Sequence, residues 1–221
     1  MSDLTISAIV ILCTGVLIGA IFYLTVTKKR KRESELAEYC QNHGYNCLKT
    51  EEPGFTEFTV EGDSFSLRSS QVMTQDEAVS ESDSWNKETV WIRRGDDSAR
   101  PSFALGGIPS ARGWEKLPQQ VKKIAVDNLS SRTGFSLDPA NAQLVKTGGK
   151  SAFLLFEQNP GESGAALERL RPLLEEWPAQ FTLFIHSSPE TVRIHLANYF
   201  VRDVAMLEKV LRLGAAAVGA G

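Results

Sequence analysis

Three residues have the types and spacing of metal ligands: Cys40, His43 and Cys47 form a C-x-x-H-x-x-x-C cluster. Thiolate and neutral imidazole bind zinc, but a structural zinc site takes four ligands in a tetrahedron, and only three are local here. Cys40 falls on the apolar face of a predicted helix and Cys47 in a predicted strand, positions where small thiols are commonly buried. The pattern therefore favours two core thiols and a helix-end histidine over a metal centre. A Cys40–Cys47 disulfide is disfavoured, because the chain after the first helix is expected in the reducing cytoplasm. No cofactor is expected.

Other candidate chemistry fails on spacing. Gly148-Gly149-Lys150-Ser151 resembles the end of a phosphate-binding loop, yet Leu144 stands where that motif needs its first glycine. A strand-like run, 152–158, follows where a helix should. The carboxylates of Asp76, Glu77, Glu81 and Asp83 lack calcium-loop spacing. Gly161-Glu162-Ser163-Gly164 lacks the glycine spacing of a nucleophile elbow. His186 and His195 lie on the two strands of a predicted hairpin, and are read as strand surface positions ahead of a pH-sensitive pair or half of a metal site. No acid or nucleophile completes either one. Asn128-Leu129-Ser130 is a glycosylation sequon inside a predicted helix and is expected to be inert. No catalytic group assembles, so no catalytic activity is evident and the reading leans away from an enzyme. Trp85 and Trp114 sit at loop edges and are the aromatics that suit a binding groove; Trp91, in an alternating strand, suits the core.

The elements that must position these residues begin with a strong contrast. The chain has 221 residues, is 42% hydrophobic and carries a formal charge of −3, which suits a globular protein and excludes collagen, a disulfide miniprotein or a wholly disordered chain. Residues 4–27 contain no charge, and Lys28, Lys29, Arg30, Lys31 and Arg32 follow directly. A helix of ~20 apolar residues spans a ~30 Å hydrocarbon core. The run is too long for a signal-peptide core and lacks a cleavage site. The reading is a single uncleaved transmembrane helix over 4–27, behind a three-residue extracytoplasmic N-terminus. The basic collar over 28–32 holds everything after it in the cytoplasm, which makes this a single-pass protein of the cell membrane. Gly15 and Gly19 form a G-x-x-x-G that would let two such helices dimerise. The collar would meet anionic headgroups at ~1 kcal/mol per base. Removing its five bases and Asp3 from 24 bases and 27 acids leaves 19 and 26, so residues 33–221 carry about −7. That balance argues against nucleic acid as a partner.

Beyond the collar, a helical stretch at 33–43 ends at Gly44, either as a separate helix or as a continuation of the first. Strands are expected at 45–49, 55–60, 64–68, 89–93, 102–105, 152–158, 180–186 and 191–197, with a polar loop over 71–85. Helices are expected from Pro118 to about 132, with Val121, Ile124, Ala125 and Leu129 facing the core, at 165–177, and at 199–213 with Gly214 as its stop. A tail over 215–221 should fray. The class is α+β, with a mainly antiparallel sheet of hairpins and about three packed helices in one domain over 33–214, with a link between possible lobes near 106–113. The functional expectation is a membrane-anchored protein-interaction or accessory-subunit module. The alternatives are a pleckstrin-like lipid-interacting domain and a Cys/His zinc protein. An unidentified protein partner is expected.

Overall fold

The computed structural model describes residues 3–74, 84–108, 118–133, 142–147, 152–157, 159–178 and 180–219. Four helices and nine strands are described: α1 (Asp3–Asn42), β1 (Asn46–Glu52), β2 (Phe55–Glu61), β3 (Phe65–Thr74), β4 (Ser84–Arg94), β5 (Phe103–Ile108), α2 (Gln119–Thr133), β6 (Gln143–Lys146), β7 (Ala152–Glu157), α3 (Gly164–Glu175), β8 (Thr182–Ser187), β9 (Thr191–Ala197) and α4 (Val204–Val218). The strands form a single antiparallel sheet in the order β1-β2-β3-β4-β9-β8-β5-β7-β6. The α+β class holds. The β4–β9 pairing joins the N-terminal meander to the C-terminal strands, so the sheet runs unbroken through both halves.

The transmembrane reading does not hold. Among the described residues, no helix is long and apolar enough to cross a membrane. The uncharged run over 4–27 lies within α1. The run is not a separate element either: α1 continues unbroken through the bases to Asn42 and packs its last turns on the domain. The single-pass topology and the cytoplasmic assignment that rested on it fall with the spanning helix.

Strand periodicity explains the two faces of the sheet. Phe58, Val60, Leu67, Trp91, Ile185, Ile194 and their neighbours point to one side, where α1, α3 and α4 cover them. In β5 and β7 the alternate residues Ala104, Leu154 and Phe156 point to the other side and meet Val126 and Leu129 of α2. A strand covered on both faces needs a continuous apolar run, which accounts for Ala-Phe-Leu-Leu-Phe over 152–156. The expected stripe on α2 is corrected by this packing: Val121 and Ile124 are exposed and Val126 is buried.

Four boundaries also move. β3 and β4 extend into the expected polar loop as far as Thr74 and back to Ser84, and β6 is an additional edge strand. Tyr199, Phe200 and Val201 are not helical; they form a buried extended segment. α4 starts at Val204, capped by Asp203, whose carboxylate accepts from the Met206 amide at 2.9 Å. It then passes through Gly214 into the expected tail, burying Ala217, and ends at Gly219 with φ +82°. Gly214 is a packing glycine. A Cβ there would lie 2.5 Å from Trp91 Cε2, so its hydrogen is what lets the indole meet the helix.

Candidate functional site

The C-terminal part of α1 lies along the core face of the meander, and the turn after it sets the geometry. Gly44 takes φ +68°, and the Tyr45 amide donates to Cys40 O at 2.9 Å, so the chain reverses within three residues. β1 therefore runs back beside the helix and brings Cys47 to Cys40, Cα–Cα 6.2 Å, where the two are joined in a disulfide. The expectation of free thiols is corrected. The pairing also consumes two of the three proposed zinc ligands, and His43 Nδ1 lies 2.8 Å from Tyr39 O instead. Among the described residues, no group of three or more His, Cys, Asp or Glu is placed to hold a metal.

N-terminal to the disulfide, α1 and the sheet diverge around a cleft of about 340 Å3. Its helix wall is a single face: Thr25, Lys28, Lys29, Arg32, Glu33 and Leu36 follow the 3-4 spacing of one helical side. Arg30 and Lys31 of the same basic run are not part of that wall, and Lys31 lies 3.8 Å from Glu35. The opposite wall comes from β1, β2 and β3 through Lys49, Glu51, Thr56, Phe58 and Gln71, and the remaining side from Phe200, Val201 and Arg202. Leu36, Phe58, Phe200 and Val201 are buried and make an apolar floor.

Five cations thus face two carboxylates, and the pairing among them is uneven. Lys29 donates to Glu51 at 2.6 Å, and Lys49 donates to Glu51 at 2.9 Å and to Glu33. Those hydrogen bonds from Lys29 and Lys49 hold the Glu51 carboxyl down to about 2. Burial of Lys49 would lower its pKa, but Glu33 and Glu51 outweigh it and raise the value. Both acids are therefore engaged. Among the described residues, Lys28, Arg32 and Arg202 have no carboxylate partner.

Arg202 is placed by a buried hydroxyl relay. Ser69 and Thr89 lie opposite each other on β3 and β4, Oγ to Oγ1 2.8 Å, and both are fully buried. Thr89 Oγ1 donates to Tyr199 O at 2.8 Å, and Ser69 Oγ accepts from the Val201 amide at 2.9 Å. The segment before Arg202 is thereby pinned across the sheet, and the Asp203 cap fixes it from the other side.

A second cleft, about 330 Å3, opens near the disulfide. Tyr39, Tyr45, Phe65 and Trp91 line it, with Arg93, Arg212 and Glu208 among its polar residues. Successive rings are in contact, Tyr45 on Phe65 at 5.4 Å and Phe65 on Trp91 at 5.9 Å.

The other sequence candidates are dispersed. Trp85 is exposed on β4 opposite Met73 and lines neither cleft. Trp114, the 148–151 turn and the 76–83 carboxylates lie outside the described residues. A Cβ at Gly15 or Gly19 would meet nothing within 4 Å, so that side of α1 is open. His186 and His195 share one face of the β8–β9 hairpin but are diagonal: His186 faces Arg193 and His195 faces Phe184. Burial first, and Arg193 second, pushes the His186 pKa down, while His195 Nε2 lies 3.4 Å from Glu88. Of the charged cleft residues, Glu33, Lys49, Glu51 and Arg202 are those that sequence reasoning missed. The helical spacing of 25, 28, 29, 32, 33 and 36 was the available signal for its other wall. Comparison of the chain with protein-family models, curated proteins and solved structures finds no match.

Proposed function

We propose that this chain is a recognition module that holds the anionic group of a partner in the cleft between α1 and the β1–β3 meander. The observation that carries the reading is the convergence of Lys28, Arg32 and Arg202, none paired with a carboxylate, over an apolar floor. Five cations less two acids leave a local charge of +3, on a domain whose residues 33–221 sum to about −7 by sequence. A patch opposite in sign to its surroundings concentrates anions locally and selects against cationic partners. Glu33 and Glu51 are engaged by Lys29 and Lys49, so Lys28, Arg32 and Arg202 carry the excess charge, and the pinned Tyr199–Val201 segment positions the Arg202 backbone before any ligand arrives. Pre-placement of this kind reduces the ordering cost of binding.

The test is calorimetric titration of the full chain with inorganic pyrophosphate at low ionic strength. One site per chain is expected, weakened by added salt and lost in Arg32→Glu/Arg202→Glu. Binding that the double variant leaves unchanged would contradict the assignment.

A further inference from the structure

We infer that the anionic group taken by the cleft is the head of an aliphatic amphiphile, whose chain lies along the apolar stretch of α1. This rests on the proposed recognition role and names its ligand class. Thr25 is the N-terminal edge of the cleft's helix wall. Directly beyond it, Leu24, Tyr23, Phe22 and Ile21 are between 55% and 70% exposed, and Ile18, Leu17 and Val16 are exposed by 62% to 66%. From Thr25 back to Val16 the helix rises about 14 Å, at 1.5 Å per residue. A contiguous apolar surface of this kind is rare on a soluble face and marks a binding site. It begins where the cationic cleft ends, at Thr25. Charge and apolar surface are therefore arranged in line, cations at one end and aliphatic side chains at the other. A small inorganic anion would use only the first half of this surface; an alkyl phosphate or alkyl carboxylate would use both.

Such a head has two sources, a free monomeric amphiphile and an anionic lipid surface. Binding of decyl phosphate below its micelle concentration, and of vesicles of phosphatidylglycerol or of phosphatidylcholine, should be measured on the full chain beside inorganic phosphate and neutral decyl maltoside. A buried methylene contributes ~0.8 kcal/mol, or about fourfold in affinity. The expected result is decyl phosphate binding at least about tenfold tighter than inorganic phosphate, with affinity rising as the chain is lengthened from hexyl to decyl. Decyl maltoside should bind far more weakly. Arg32→Glu/Arg202→Glu should abolish binding, and Ile21→Ser/Leu24→Ser should remove the chain-length dependence while keeping inorganic phosphate binding. Monomer binding identifies a free amphiphile, and binding only to phosphatidylglycerol vesicles identifies a lipid surface; either supports the inference. Equal affinity for inorganic and decyl phosphate overturns it and leaves the anion-recognition role standing. Equal affinity for decyl maltoside also overturns it. Binding of neither phosphate nor any anionic amphiphile overturns both.

Discussion

At the scale of single residues, the structure shows acids working as organisers. Glu157 ends β7 and reaches forward to the N-terminus of α3: its Oε1 accepts from the Ser163 amide at 2.9 Å and the Ser163 hydroxyl at 2.6 Å, and its Oε2 from the Gly161 amide at 3.0 Å. Partial burial pushes its pKa up, but these hydrogen bonds outweigh it and leave the carboxyl below its ordinary value. A depressed folded-state pKa stabilises the fold above the unfolded carboxyl value of ~4.3, and that contribution disappears as pH falls through the lower folded value. Glu157→Gln should therefore lower stability by about 1 kcal/mol at neutral pH, discounted for its partial exposure. It should also flatten the acid side of the stability profile below pH ~4.3; urea melts at pH 7 and pH 3.5 measure both. A variant with unchanged acid dependence would show that the carboxylate does not anchor α3. Ser163, whose Gly-flanked setting raised a nucleophile in the sequence, is thus a buried partner of this anchor.

At the scale of elements, the cleft depends on how α1 is fastened to β1. The Cys40–Cys47 bridge closes a loop of eight residues, since the cysteines are seven apart. The chain-entropy relation for that loop gives roughly 2.5 kcal/mol. Reduction, or Cys40→Ser/Cys47→Ser, should lower stability by roughly 2 kcal/mol. It should also weaken anion binding, because the Lys28–Arg32 face loses its fixed register against Lys49. If the bridge mattered only to stability, pyrophosphate affinity of the folded double variant would equal that of the parent. The sequence was informative about elements wherever local chemistry decides them: the Gly44 helix stop, the β2–β3 and β8–β9 hairpins and the apolar strand at β7 were all legible. It misled where tertiary contact overrides a local signal. Gly214 looked like a helix stop, yet it is a seat for the Trp91 ring, and the Asp203 cap that sets the true start was overlooked. The expected reducing compartment argues against a Cys40–Cys47 bridge, yet the tight turn at Gly44 brings the two cysteines together.

At the scale of the whole molecule, the near-neutral total conceals a segregated charge pattern, and the single sheet explains how it becomes a site. Three of the cleft's cations were visible as part of a basic run. The rest were not, because Lys49 arrives through β1, and Arg202 arrives from a segment some 170 residues after the run, through the buried Ser69–Thr89 relay. Non-local placement of this sort has no period in the sequence. The apolar front of α1 was legible as composition, and its meaning as a membrane-spanning segment was set aside because no described helix is long and apolar enough to cross one. Its exposure beside the cleft is the observation on which the proposed amphiphile site rests. The most direct test of anion recognition is a backbone amide NMR titration of the full chain with inorganic pyrophosphate. The account predicts that the largest saturable shifts fall on Arg32, Lys49, Phe58 and Arg202, with the α2 pair Lys122 and Lys123 unmoved. Shifts spread evenly over exposed lysines, or concentrated on α2 with the cleft silent, would contradict it.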